Sequence, residues 1–368
     1  MVETANYFEE SGYETIMVVP EPESREGLSL LSKKSKSQIE YYPIKRPHRP
    51  LSLMGTASYI IKAFWSILRL FILIRQKDVE VVHVNELFDI PGLIAGKLAG
   101  TKTICHTRVI IERPIWLRRL LLKSVASFAD KIICVSKAVR QKMFGGIDSN
   151  KIETIYNPGP DRENFSPEQY SSGGKRNGLG LKKDHFIVGL VSKFTENKGQ
   201  INLVKAAKMI DNEGIDDIRY IFVGGKVSGH EEYYQKVVEL TREKGLSNKI
   251  IFTGYRKDVP AIVNVCDVMV HIPIHHDPFP GVVLEAMAME KPIIASDSGG
   301  VSEEFEDGKS GILIPRNDPS SLAKKILLLY KDEARRKKIG NYAREFLNAN
   351  FTWGKYLSQL EEVYNDLI

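Results

Sequence analysis

The sequence predicts an α/β protein of two open-sheet domains, and three observations carry that prediction. Its 368 residues, 43% hydrophobic and 27% charged, have an ordinary soluble composition and length enough for two separate cores. Short apolar runs of strand character alternate with amphipathic helical runs along most of the chain. Several strand runs end in glycine turns or polar loops, where open α/β sheets place their ligands.

The elements follow in order. Val2 to Ser11 reads as a helix with Gly12 as its C-cap, and Glu14 to Val19 as a strand. Glu21 to Lys36, rich in charge and Ser, is expected to be a mobile loop. Tyr41 to Pro50 interleaves Tyr and Pro with Lys, Arg and His; it reads as an anionic-acceptor surface or as a plain connector, and the connector is preferred. Leu53 to Arg75 is one long helix carrying Phe64, Trp65, Leu68, Phe71 and Ile72 among Lys62, Arg69 and Arg75. Its apolar stretch, Ile60 to Ile74, is too short and too charged to span a bilayer. A second basic and apolar segment runs from Arg113 to Lys123. Rings beside cations suit a helix resting on an anionic bilayer, the rings in the interface and the cations against head groups. The competing reading buries the apolar residues in the core. The two stand equal for the first helix, and the bilayer is preferred for the second.

Val79 to Val84 and Thr103 to Cys105 read as strands around a helix at Pro91 to Leu98, and Phe128 to Ser136 ends in a serine placed to cap the helix Val139 to Phe144. Ser171 to Gly180 has no apolar period and reads as a flexible join. Beyond it, strands are expected at His185 to Val191, Tyr220 to Val223 and Val268 to Ile272, with helices at the C-terminal end. Cys105, Cys134 and Cys266 lie in or beside apolar runs without metal-ligand spacing, so they read as small buried hydrophobes in a reducing, cytoplasmic setting. Met1 to Glu10 carries acids and lacks the apolar core of a secretory signal. The net charge of +6 fits a diphosphate site, an anionic membrane or nucleic acid without choosing among them.

The stretch the rest is organised around is Asp277 to Glu304, DPFPGVVLEAMAMEKPIIASDSGGVSEE. Pro278, Pro280 and Gly281 mark a loop, and the short apolar helix after it begins with unpaired N–H groups and the positive end of its dipole, which suit a phosphate. Pro292 to Ser296 reads as a buried strand that hands over at Ser298-Gly299-Gly300.

This stretch resembles the E-P-F-G-x-x-x-L-E-A-M-A and G-x-P-V-I-A-S-x-x-G-G-x-x-E signature of the retaining, GT-B-fold sugar-nucleotide glycosyltransferases of family 4. Asp277 stands where the family usually has Glu, and Pro280 precedes the glycine, while the spacing from Asp277 to Glu285 is kept. Ser192 to Gly199 resembles the family's G-R-x-x-x-x-K-G loop, with Lys193 for the usual Arg. The resemblance implies two Rossmann-like α/β domains facing a deep cleft, with a C-terminal helix crossing back to the first domain. The expected division is residues 1–165 on the acceptor side, a linker at 166–182, a nucleotide-sugar domain at 183–350 and the returning helix at 351–368. Family members place a strand and a Gly-rich turn before the helix that opens this sequence, so a first strand is expected to be missing.

The same resemblance implies the site. Lys193 and Lys198, beside Gly199, would neutralise the diphosphate together with the N–H groups of Gly281, Val282 and Val283 in the loop after Phe279 and Pro280. Gly224 would lie beneath the nucleotide, and Tyr255 or Arg256 would stack on or bracket the base. Glu285 would take the ribose hydroxyls and Asp277 those of the donor sugar. His106 or Arg108 would reach the leaving phosphate from the first domain, where negative charge grows. No D-x-D pair occurs, and His275 and His276 lack a third ligand at metal spacing, so no metal and no cofactor is expected. The expected function is transfer of a sugar from a UDP-, GDP- or ADP-sugar to a glycan, lipid-linked or small acceptor, at the inner face of the plasma membrane, with no nucleic-acid partner. A catalytically impaired sugar-nucleotide binder and an epimerase of the same fold are the alternatives.

Overall fold

The computed structural model describes residues 2–20, 35–42, 53–145 and 150–368. The loop expected at Glu21 to Lys36 falls largely outside these residues, as does the basic and aromatic stretch after Tyr42. The elements are α1 (Val2–Glu10), β1 (Ile16–Pro20), β2 (Gln38–Tyr42), α2 (Leu53–Gln76), β3 (Val81–Val84), α3 (Ile90–Ala99), β4 (Lys102–Thr107), α4 (Ile115–Phe128), β5 (Lys131–Cys134), α5 (Lys137–Phe144) and β6 (Ile152–Thr154). They continue as α6 (Ser172–Gly178), β7 (Phe186–Val191), α7 (Gln200–Asp211), β8 (Ile218–Val223), α8 (Glu231–Glu243), β9 (Ile250–Gly254), α9 (Val259–Val265) and β10 (Val268–His271). The last are α10 (Gly281–Ala288), β11 (Ile293–Ser296), β12 (Ile312–Ile314), α11 (Pro319–Lys331), α12 (Glu333–Asn350) and α13 (Trp353–Asn365).

The chain forms two compact units. The first holds residues 1–134, 143–155 and 356–368, and the second holds 135–142 and 156–355. In the first unit β3, β4, β5 and β6 form a parallel sheet in that order, while β1 and β2 pair with each other in a separate parallel ladder. Five of the six β4 residues are buried, as a strand covered on both faces requires. Helix α3 packs against α2 and α4. The last helix joins this unit through Tyr364, whose ring lies 4.8 Å from that of Phe8 and whose hydroxyl is 2.7 Å from His83 Nδ1.

Helix α2 buries Ile74 but leaves much of its apolar surface outward. It turns Ser66 inward, 1% exposed, and leaves Phe64 and Trp65 outward at 63% and 55%. Ile61, Leu68 and Ile72 are exposed with them, as are Ile115, Trp116 and Leu120 on α4. The core reading of these side chains is therefore wrong, since burial in this fold does not use them.

The second unit is one parallel sheet in the order β12-β11-β10-β7-β8-β9. Chain order reverses between β7 and β10, so the crossovers run outward in both directions and a crevice opens at the carboxyl ends of those two strands. Helix α7 buries Leu203, Val204, Ala206, Ala207 and Ile210 against the sheet core. The stretch expected as a flexible join is instead the short helix α6. Arg176 fixes it by donating to the carbonyls of His185 and Val265, at 3.0 and 3.2 Å, and Lys175 pairs with Asp258. Side chain to backbone bonds thus supply the order that apolar periodicity lacks.

Candidate functional site

The crevice between β7 and β10 gathers most of the sequence-predicted residues. The loop leaving β7 passes Lys193, which is exposed, and reaches Gly199 at φ 77°. A Cβ at Gly199 would lie 2.0 Å from the Ile272 carbonyl oxygen, so only glycine lets this loop rest on the end of β10. That contact delivers Lys198, whose Nζ is 2.8 Å from Asp277 Oδ2. Gln200 pins the loop from behind through Ser192 Oγ and the Lys193 carbonyl, at 3.0 and 2.8 Å.

Asp277 is held by the turn that follows β11. Its N–H donates to Ser298 Oγ at 3.3 Å, its carbonyl accepts the Gly300 N–H at 2.9 Å, and Ser298 Oγ donates to the His275 carbonyl at 2.6 Å. The Gly299 N–H lies 3.1 Å from His276 Nδ1. A Cβ on Gly299 would meet the Asp277 carbonyl oxygen at 2.0 Å. The two halves of the signature are thus one bonded loop pair.

Beneath Asp277 lies a residue the sequence reading passed over as strand. His271 ends β10, is buried, and places Nε2 3.4 Å from Asp277 Oδ2. Burial pushes the Asp277 carboxyl up, but His271 and Lys198 outweigh it and hold the acid well below the usual carboxylate range. No hydrogen bond reaches Oδ1 of Asp277 among the described residues. Glu304, also unassigned by sequence, is fully buried with neither carboxyl oxygen hydrogen-bonded among the described residues. Burial raises its pKa far above the ordinary value, and the charges of Asp277 and Glu303 add to the shift. Glu303 instead accepts the N–H groups of Lys137 and Ala138 at 2.7 Å each, at the start of α5. Ser136 caps that helix as expected, through the Val139 N–H at 3.1 Å, and also donates to the Pro278 carbonyl at 2.8 Å.

Helix α10 begins at Gly281 behind Pro280, whose ring carries no acceptor to cap it. A Cβ at Gly281 would meet nothing within 4 Å, so the helix start is open on that side. Three residues of the expected site are engaged within the protein. The Val283 N–H donates to the Pro280 carbonyl at 3.1 Å, because the first turn closes on itself. The Phe279 ring is buried, stacked 5.4 Å from Tyr156 and edge-on to Phe351, so it is core. Pro280 is likewise buried. Glu285, one turn into the helix, has its pKa raised by burial alone.

At the carboxyl end of β9, Tyr255 is 76% exposed and open to stacking. Arg256 is not equivalent: Asp258 takes its Nε and Nη2 at 2.8 and 2.7 Å, a bidentate pair that fixes the guanidinium. Gly224 lies under this loop, where a Cβ would come 1.9 Å from the Ser192 carbonyl oxygen; it permits close backbone approach.

His106 and Arg108 belong to the first unit. His106 is fully buried, its ring stacked 5.5 Å from His83, with Nδ1 3.3 Å from Arg108 Nη2. Burial, followed by the Arg108 charge, drives the pKa of His106 well down, and the same causes bring His83 to about 3. Both rings are neutral at physiological pH, so of the two candidates only the partly exposed Arg108 carries a positive charge. The cysteines are buried, and burial pushes Cys105 and Cys266 up to about 12. Among the described residues no helix is long and apolar enough to cross a membrane.

Comparison with known proteins gives these features a context. Residues 173–346 match the family described as glycosyl transferases group 1, and residues 1–158 match glycosyltransferase family 4. An uncharacterized glycosyltransferase of Methanocaldococcus jannaschii is 28% identical over 303 residues, covering 80% of this chain and 78% of its own. The Escherichia coli UDP-Gal:alpha-D-GlcNAc-diphosphoundecaprenol alpha-1,3-galactosyltransferase is 26% identical over 335 residues, covering 84% and 81%. Among solved structures, Anabaena HepE in complex with UDP and glucose superposes with a TM-score of 0.83 at 21% identity, over 99% of this chain and 94% of that one.

Proposed function

Because the chain belongs to the glycosyltransferases of family 4, group 1, and has their GT-B fold, we propose that it is a retaining, metal-independent glycosyltransferase acting on a nucleoside-diphosphate sugar. The observation that carries this reading is the Lys198–Asp277 pair at the topological switch point, beside a helix start that no side chain caps.

In this reading the bond between the sugar's anomeric carbon and the diphosphate breaks as the acceptor oxygen bonds the same carbon on the same face. The acceptor proton leaves with the diphosphate. Lys193, Lys198 and the N–H groups of Gly281 and Val282 hold the leaving diphosphate, where charge grows in the transition state. Lys193 replaces the bidentate fork of the usual arginine with a point charge, so geometry rests more on the helix start. Asp277 offers Oδ1 to the donor-sugar hydroxyls, Glu285 accepts from the ribose, and Tyr255 stacks on the base. Arg108 is the first-unit candidate for the leaving phosphate. UDP is the first base to test, since a solved neighbour holds UDP and a relative is named for UDP-galactose.

A lipid-linked acceptor at an anionic membrane surface is the acceptor reading we favour. Its support is the outward ring and aliphatic set of α2 and α4, two helices whose described charges are all basic: Lys62, Arg69 and Arg75, then Arg118, Arg119 and Lys123. Exposed apolar patches rimmed by one sign of charge mark interaction surfaces. The relative named for a diphosphoundecaprenol acceptor agrees with it.

The test is a panel of UDP-, GDP- and ADP-sugars with glycan and polyprenyl-diphosphate acceptors, read by NMR of the product's anomeric proton. Transfer with the donor's anomeric configuration in the presence of chelator is expected. Inverted product, or transfer that stops on chelation, overturns the respective part of the reading.

A further inference from the structure

The loop that leads into α10 is anchored residue by residue before the helix begins. The Asp277 carbonyl accepts the Gly300 N–H at 2.9 Å, the Pro278 carbonyl accepts the Ser136 hydroxyl at 2.8 Å, and the Phe279 ring is stacked on Tyr156 and edge-on to Phe351. The last two anchors belong to one brace, all of it in the second unit. Tyr156 donates its hydroxyl to Glu303 at 3.0 Å, and Glu303 accepts the N–H groups of Lys137 and Ala138, next to Ser136, at 2.7 Å each. Ser136 accepts the Val139 N–H at 3.1 Å, so the first three N–H groups of α5 are all engaged. That helix start is filled by the protein's own groups and serves as a fixed post. Ser136 is fully buried, and a Cβ on Gly300 would lie 2.9 Å from its Oγ and 2.0 Å from the Pro278 carbonyl oxygen. Glycine is what lets these three stretches of backbone meet.

We propose that Ser136 is a positioning residue for the donor diphosphate. Its hydroxyl, with the Tyr156–Glu303 pair behind it, fixes Pro278 and Phe279 so that the N–H groups of Gly281 and Val282 stand ready before the ligand arrives. The inference rests on the nucleotide-sugar reading of this site. Its physical basis is preorganisation: donors already aimed cost no ordering when the diphosphate binds, whereas a loop free to move is ordered at the expense of affinity. The Ser136 bond matters because of where it acts. Gly281 has no side chain to hold it, so its placement comes from the residues before it. Pro280 keeps φ at −78° and passes the placement of Pro278 and Phe279 on to the helix start. The proline that departs from the family signature thus stiffens the link between the brace and the N–H groups.

The proposal predicts that Ser136→Ala weakens binding of a nucleoside diphosphate but not of its nucleoside. Tyr255, the base-stacking side chain, lies outside the brace, so the base half of the ligand is an internal control. Ligand-observed NMR titration of UDP, GDP and ADP, each against its nucleoside, reads both halves in the wild type and the variant. Diphosphate affinity is expected to fall by about three- to tenfold, the range for one neutral hydrogen bond, with nucleoside affinity unchanged. Loss of the α5 cap alone would lower the melting temperature and leave the ratio of the two affinities where it was. An unchanged ratio, including equal loss on both ligands, overturns the proposal with nucleotide binding intact. Failure of the wild type to bind any of the three diphosphates overturns the functional reading itself, and this inference with it. Should Ser136→Ala fail to fold, Tyr156→Phe keeps the stacked ring, removes only the hydroxyl that reaches Glu303, and must lower the same ratio; if it does not, the proposal is wrong.

Discussion

The crevice of the second unit and the helical layer of the first solve opposite problems. At the switch point, Lys198, Asp277, Ser298 and Gly300 are locked to one another by short contacts, and glycines admit the backbones that make them possible. On α2 and α4 several large apolar side chains face outward, while Ile74, Leu121 and Val125 are buried and Ser66 with them. Chemistry needs groups held within fractions of an ångström, whereas a surface for a bilayer needs only area and charge. The contrast teaches that backbone contacts are tightest where glycines bring the loops together at the switch point, and that parts of α2 and α4 keep apolar area exposed.

Lys198→Ala should break the first half of that contrast most severely. It removes a diphosphate cation and leaves Asp277 with His271 alone, so transfer should fall by about 10²–10³-fold, measured as kcat/KM for the donor. The same change should destabilise the free protein by about 1.5–3 kcal/mol in urea titrations, the range for a charged hydrogen bond. Gly199→Ala tests the scaffold rather than the charge. Its methyl must displace the Ile272 carbonyl from a left-handed backbone, with an expected loss of about 2–3 kcal/mol in the same assay.

Tyr255→Ala should weaken nucleotide binding by about 1–3 kcal/mol through lost stacking, with the melting temperature of the free protein unchanged. Arg256→Ala should do the reverse, sparing affinity and lowering stability, because its fork is engaged by Asp258. Calorimetry and thermal melts on the pair separate the two roles.

Much of this was legible in the sequence, and the reasons for the rest are specific. Strand and helix order followed from periodicity, and Pro278, Pro280, Gly281, Gly299 and Gly300 marked two loops because glycine and proline announce backbone conformation locally; that the loops bond to each other was not legible. His271 was not legible: in a run of Val, Met and Ile it looks like one more strand residue, and only the return of the chain at Asp277 gives it a partner. Val283 and Phe279 matched the signature, yet one N–H closes the helix turn and the ring is core. Helix α6 was missed because Arg176, not an apolar stripe, holds it. The exposed face of α2 was ambiguous since the same amphipathic pattern serves a core or a bilayer.

Glu304 sharpens the comparison through pH. Its carboxyl binds a proton more tightly folded than unfolded, so its contribution to stability is full below the ordinary carboxylate value of 4.5 and is lost as pH rises toward its raised folded value. Relative to Glu304→Gln, the wild type should therefore lose melting temperature steadily from pH 5 to 8; parallel curves would count against a buried, unpaired acid. The smallest effect on the fold is expected on the other side of the contrast. Trp65→Ser with Trp116→Ser should change stability by no more than about 0.5 kcal/mol and abolish flotation with vesicles rich in anionic lipid. Unchanged flotation would mean the outward rings serve something else.

The central claim, that the crevice at the ends of β7 and β10 binds a nucleoside diphosphate, is tested most directly by thermal shift with UDP, GDP and ADP on the wild type, Lys198→Ala and Glu285→Ala. The account predicts that at least one of the three raises the wild-type melting temperature, by linkage of binding to folding, and that both substitutions erase the rise. No rise with any nucleotide, or a rise that survives both substitutions, would contradict it.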